Sequence, residues 1–189
     1  MADRRNHYEA AFEAFLRDHR IAYVAVDETR RSLVADGSLK SLDFIVSTGA
    51  NASWLVDVKG RRFPSGDESR TYWKNWSTRD DLRSLAAWQS HFGPTFCPIL
   101  VFAYHLVANR SPLPTRDLFR FRGAVYGFLA VPLADYVPHA RTLSESWDTV
   151  ALPTAVFRRM ARPWSQIVAG TTWVPSGELV WQELPSELQ

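Results

Sequence analysis

A chain of 189 residues that is 46% apolar and 13% aromatic can bury a sizeable core and is too apolar to be disordered. Its 22 basic and 20 acidic side chains leave a net charge of +2, so no overall basic field draws in a polyanion, and such a partner must be met by a local patch. A single cysteine excludes a disulfide framework and any Cys-based zinc site, and no run approaches the roughly 18 consecutive apolar residues of a membrane-spanning helix.

Met1 to His7 contain no apolar signal region, which together with the lone cysteine makes the cytoplasm the expected location and a membrane an unexpected partner. From about Arg4 to His19, Tyr8, Ala11, Phe12, Phe15 and Leu16 recur at helical spacing and predict an amphipathic helix. Three short β-branched and aromatic runs follow, at Ile21 to Val26, Leu42 to Val46 and Trp54 to Val58; the turn Ser47 to Asn51 makes the last two a hairpin. Gly60 to Asp67 is rich in breakers and reads as an exposed loop. Thr78-Arg79-Asp80-Asp81 carries the signature of a helix N-cap with an acidic third residue, and the helix runs to Phe92 before Gly93-Pro94 stops it. The apolar run from Ile99 to Val107 predicts a buried strand.

Beyond that point Phe119 to Val131 fits a hairpin or one long strand, Leu133 to His139 a short helix, and Pro153 to Met160 another. The last stretch, with Trp173 and the alternation from Leu179 to Leu184, fits a small hairpin or a loose tail. The expectation is a single α/β domain, with residues 1–110 as its core and 111–189 as a C-terminal α+β elaboration.

The chemistry-bearing residues gather in the first half. Period-two alternation sets Asp43 in an otherwise apolar strand and brings Asp57 and Lys59 out side by side on one face of the next. Strands joined by a short turn bring Asp43 and Asp57 within reach of one cation, which offsets the cost of burying two carboxylates; an all-oxygen set favours Mg²⁺ or Mn²⁺. With Tyr8 as origin, Glu9 lies at about 100° on the margin of the apolar stripe and Glu13 at about 140°, so Glu9 is the better third carboxylate. The basic residues are 19 Arg and three Lys, namely Lys40, Lys59 and Lys74. Between Val58 and Arg83 seven positive side chains face four negative ones, and Tyr72, Trp73, Lys74 and Trp76 interleave aromatics with charge; Arg61, Arg62, Lys74, Trp76 and Arg79 are the candidate nucleic-acid contacts.

This order of helix with internal Glu, strand, Asp-bearing strand, strand with Asp57-Val58-Lys59, helix and strand resembles the PD-(D/E)XK nuclease superfamily. The segment Tyr8 to Leu16 looks like that family's first helix, in which the Glu precedes a Leu by seven positions; Leu42 stands where the family name has Pro. The resemblance covers Arg4 to Val107 and implies a restriction-endonuclease-like core of helix, three-strand meander, helix and strand. It further implies Mg²⁺-dependent phosphodiester hydrolysis, with Mn²⁺ able to substitute. Asp43, Asp57, Glu9 and the Val58 carbonyl would hold the metal, and Lys59 would position or help deprotonate the attacking water. The implied substrate is nucleic acid, DNA rather than RNA, cut as by an endonuclease, and a homodimer is compatible with it.

The same residues admit plainer readings. Asp57 and Lys59 fit an exposed ion pair, Trp73 and Trp76 fit core anchors, and Cys97 before Pro98 fits a small core residue. The rival function is a catalytically inactive nuclease-fold module that binds nucleic acid or a protein partner. A third reading is an unrelated metal-dependent hydrolase of a small phosphorylated molecule.

Overall fold

Buried apolar residues at period two decide the main sheet. Ile99, Val101 and Ala103 sit in the core on one face, and Leu100, Phe102 and Tyr104 in the core on the other. A strand apolar on both faces must lie inside a sheet covered twice. The computed structural model describes residues 6–26, 32–34, 37–47, 53–65, 73–108 and 110–170. In chain order these form α1 (His7–Asp18), β1 (Ala22–Ala25), β2 (Ser32–Val34), β3 (Gly37–Leu39), β4 (Phe44–Ser47), β5 (Ser53–Phe63), β6 (Ser77–Thr78), α2 (Arg79–Phe92) and β7 (Phe96–Leu106). There follow β8 (Leu118–Phe121), β9 (Ala124–Pro132), α3 (Leu133–Tyr136), β10 (Arg141–Ser144), β11 (Thr149–Ala151), α4 (Thr154–Met160), β12 (Arg162–Pro163) and α5 (Trp164–Val168).

The main sheet has the order β1-β4-β5-β7-β9-β12, with β8 also on β9. Its pairs are antiparallel except β5 with β7, which run parallel from Ser53↔Phe96 to Phe63↔Leu106, with α2 as the crossover. The fold is therefore a mixed α/β architecture. α1 covers one face, where Phe12 meets Phe44, Phe128 and Trp164 at ring separations of 5.5, 5.2 and 5.1 Å. α2, α3 and α4 contribute Leu82, Leu85, Leu133 and Phe157 to the other. No helix among the described residues is long and apolar enough to cross a membrane.

Two expectations change. The hairpin β2–β3 lies between the first two strands of the meander, where no strand was expected. The loop expected from Gly60 is strand as far as Phe63, because β7 supplies backbone partners along the whole of β5 despite the nearby breakers. Of the two readings for Phe119 to Val131 the structure has the hairpin, β8 with β9, and β9 also pairs with β7 inside the sheet. Tyr72 and the stretch from Trp173 to Leu184 lie outside the described residues.

Candidate active site

β5 is longer than β4, and the site forms where they part. The last ladder pair is Phe44↔Val56, which leaves Asp43 across from Asp57. Beyond it the backbone of Val58 faces the side that β4 has left, and its N–H would be unpaired. The Asp43 side chain replaces the missing strand: Val58 N–H donates to Asp43 Oδ2 at 2.6 Å.

Glu9 reaches this fork from α1. Asn6 caps the helix, its side chain accepting from Tyr8 N–H at 3.1 Å and its Nδ2 donating to Glu9 Oε1. The Tyr8 ring packs so closely on Gly60 that a Cβ there would come within 2.2 Å of a ring carbon. The close approach that glycine allows is what brings the first turn of α1 onto β5. Glu9 is 2% exposed and Asp43 5% exposed, so the carboxylates are inside the protein rather than on its surface. Glu13 instead accepts from the Tyr23 hydroxyl at 2.9 Å, on the side of β1.

The other face of the fork is α2. Asp81 closes a capping box with Thr78, and its carboxylate also accepts from Ser77 Oγ at 3.1 Å. The same carboxylate meets Lys59 Nζ at 2.8 Å through Oδ2 and Lys40 Nζ at 2.7 Å through Oδ1. Lys59 Nζ also meets Asp57 Oδ2 at 2.7 Å. The segment before Asp43 is tied to α2 by its backbone: Lys40 N–H donates to Ser84 Oγ at 3.1 Å, and the Trp88 indole donates to Lys40 O at 2.8 Å. Glu9, Lys40, Asp43, Asp57, Lys59 and Asp81 thus line one cavity of about 300 Å³.

The electrostatics follow from that crowding. Burial, then the charges of Asp57 and Glu9, push the Asp43 carboxyl well above the usual carboxylate range, against the Val58 N–H. Burial and Asp81 also raise Asp57, with Lys59 opposing. Burial works against the Lys59 ammonium, but Asp57 and Asp81 outweigh it and hold its pKa above that of an ordinary lysine. Burial disfavours the Asp81 anion too, yet Lys59 and Lys40 bring it below the usual range. Among the described residues lining the cavity, four are carboxylates and two carry ammonium groups, an excess of acidic side chains.

That imbalance, and a donor set made only of oxygen, fit a divalent cation. Among the described residues, however, no three His, Cys, Asp or Glu side chains stand together as a ready metal cage. One oxygen of Asp57 is turned to Lys59 instead.

The expected nucleic-acid contacts separate. Arg62 and Lys74 are exposed. Arg61 is buried: its guanidinium lies 3.8 Å from the Trp76 ring centroid and donates to Gly60 O at 2.7 Å and to Trp76 O. Arg79 is turned toward the β10–β11 hairpin, donating to Asp148 at 2.9 Å and to Thr142 Oγ1 at 2.7 Å. Arg61 and Arg79 are therefore packed within the protein as it stands, and Trp76 is half-buried beside Arg61. Sequence reasoning missed Lys40 and the second role of Asp81. The scarcity of lysine was the signal for the first; the second had none beyond the cap.

No family model matches the chain, and no curated protein matches it. Among solved structures it is similar to the 1.6 Å resolution structure of Hjc, a Holliday junction resolvase from the archaeal hyperthermophile Archaeoglobus fulgidus. The identity is 13% and the TM-score 0.49, over 86% of this chain and 98% of that one. A likeness of that degree decides neither activity nor substrate.

Proposed function

We propose that the chain is a metal-dependent nuclease of the PD-(D/E)XK type, hydrolysing phosphodiester bonds of DNA in preference to RNA. The observation that carries this reading is the fork itself. Asp43 lies across from Asp57, Glu9 reaches the same cavity, and Lys59 stands beside Asp57 with its ammonium held charged. The resemblance in the order of elements assigns the roles.

Glu9, Asp43, Asp57 and the Val58 carbonyl would hold Mg²⁺ or Mn²⁺. A cation bound there supplies neutralisation of the scissile phosphate and a more acidic water. The chain's own contribution is positional. The Val58 N–H fixes one Asp43 oxygen, Asn6 fixes Glu9, and the α2 cap fixes Asp81. Lys59, held protonated by two carboxylates, offers a fixed positive charge to a pentacovalent phosphorus rather than a base for water. The substrate's phosphates meet their cations in the exposed Arg62 and Lys74, with Lys59 at the reacting centre.

A second reading, an inactive module that binds nucleic acid or a protein, is favoured by one observation: Asp57 and Asp81 already neutralise Lys59, and among the described residues no three ligands are gathered as a cage. The two are separated by cleavage assays on single-stranded, duplex and branched DNA and on RNA, with Mg²⁺ or Mn²⁺, for wild type, Asp57→Ala and Lys59→Ala. Cutting that is lost in both folded variants supports the nuclease. Absence of cutting in wild type, or undiminished cutting in the variants, overturns it.

A further inference from the structure

We propose that Lys40 is a second phosphate-binding group of the cavity, taking a backbone phosphate beside the one that faces Lys59, with Asp81 holding both ammonium groups until substrate arrives. The proposal deepens the nuclease reading and rests on that part of it by which the cavity takes a nucleic-acid backbone.

The chain uses lysine at only three positions among 22 basic residues, and two of them, from segments 19 residues apart, meet on one carboxylate. Lysine differs from arginine in being a compact charge on a flexible stem that can change partners. The structure gives Lys40 that freedom at one end only. Its backbone is fixed on both sides, by Ser84 and Trp88 of α2, and its side chain is 41% exposed, against 15% for Lys59.

A purely structural role explains this poorly. The two backbone hydrogen bonds already fasten the segment to α2, and a half-exposed ion pair adds little to stability. What the ammonium adds is a cation at the mouth of the cavity. Its carboxylate partners there are Asp81, at 2.7 Å, and the more exposed Asp80, at 3.8 Å. A phosphodiester presents anionic oxygens of the same kind, and bringing one to the mouth lets Lys40 exchange Asp80 and one Asp81 oxygen for it. Lys59, deeper and shared between Asp57 and Asp81, stays in place. Asp81 is then a positioning residue, holding the two cations side by side before the phosphates arrive.

The test needs no turnover. Metal-free wild type, Lys40→Met, Lys40→Gln and Lys40→Arg are titrated, in chelator and at rising salt, with fluorescein-labelled duplex and single-stranded DNA, following anisotropy; folding is checked by circular dichroism. Losing one phosphate contact lowers the slope of log K against log salt by about 0.9 for duplex or about 0.7 for single strands. That fall is expected for Lys40→Met and Lys40→Gln, while Lys40→Arg keeps the wild-type slope. In Mg²⁺ the same two substitutions raise KM more than they lower kcat. If wild type binds and cuts DNA but the slope does not change, the Lys40 proposal falls and the nuclease reading stands. If the slope falls but no nucleic acid is cut, Lys40 stands and the nuclease reading falls. A wild type that neither binds nor cuts overturns both.

Discussion

Lys59 of β5 and Asp81 of α2 lie 2.8 Å apart, joining the sheet to the helix at the point where the candidate site opens. Asp81 also completes the cap of α2, so its removal strikes two interactions at once. Asp81→Ala should cost about 3 kcal/mol or more by urea denaturation, since a nearly buried pair is broken and a cap is lost. Asp81→Asn, which keeps cap hydrogen bonding, should recover about 1 kcal/mol. Because the folded-state pKa of Asp81 is depressed, its contribution is full above the unfolded value near about 4 and is lost as pH falls through the folded one. Wild type should thus lose stability in acid more steeply than Asp81→Asn; parallel curves would rule the pair out as a stabilising contact.

Gly60→Ala should destabilise the protein by about 1–3 kcal/mol, because the added methyl meets the Tyr8 ring and pushes back the turn of α1 that carries Glu9. Tyr8→Ala in the same chain should relieve part of that cost. A double-mutant cycle measures the coupling, and a coupling within error of zero would mean that the ring does not set the approach of helix to strand.

Asp43 titrates in the opposite sense to Asp81. Its folded pKa is raised by burial and by the neighbouring carboxylates, so its contribution to stability is full below the unfolded value near about 4 and is lost as pH rises through the folded value. Metal-free Asp43→Asn, whose amide oxygen still accepts from Val58 N–H, should therefore gain on wild type as pH rises to neutrality, by a few degrees in Tm for about 1 kcal/mol. Added Mn²⁺ should then raise the Tm of wild type and leave the variant unmoved. An equal Mn²⁺ shift in both proteins would remove Asp43 from the ligand set.

Arg61 and Arg62 are neighbours with different fates. Arg61→Ala should lose about 2–4 kcal/mol of stability, as it empties the space over Trp76 and leaves two carbonyls without their charged donor. Arg62→Ala should leave stability within about 0.5 kcal/mol. It should instead lower the salt slope of DNA binding by about 0.9 if one duplex phosphate contact is lost. Thermal melts and the same anisotropy titrations, read together, separate the two; equal melts would show that burial of Arg61 is of no consequence.

What could be read from residues alone was whatever depends on short range. Alternation along residues 54–59 placed Asp57 and Lys59 on one face, and helical angles separated Glu9 from Glu13, which the structure shows at the cavity and beside Tyr23 respectively. The N-cap at Thr78 was legible because it is built within four residues. Lys40 was not, since the segment before β4 has no periodicity and its place is fixed by Ser84 and Trp88, more than 40 positions away. Burial of Arg61 was hidden for a related reason. Gly60 and Pro64 are local signals for a loop, and the strand there owes its existence to β7, a partner that no local pattern names.

Both helices at the candidate site are held by residues that come late in the chain. Phe12 of α1 packs on Trp164, and the segment leading into α2 is gripped by the Tyr136 hydroxyl on Asn75 O at 2.8 Å and by the Asn75 side chain on Leu152. On a ribosome, where the amino end emerges first, Glu9, Asp43, Asp57 and Lys59 are in the open long before Trp164 leaves the exit tunnel. The four therefore emerge before all the parts that hold them, and a polypeptide cut short before that tryptophan carries the full set of candidate groups but lacks one of the aromatic rings on which α1 rests.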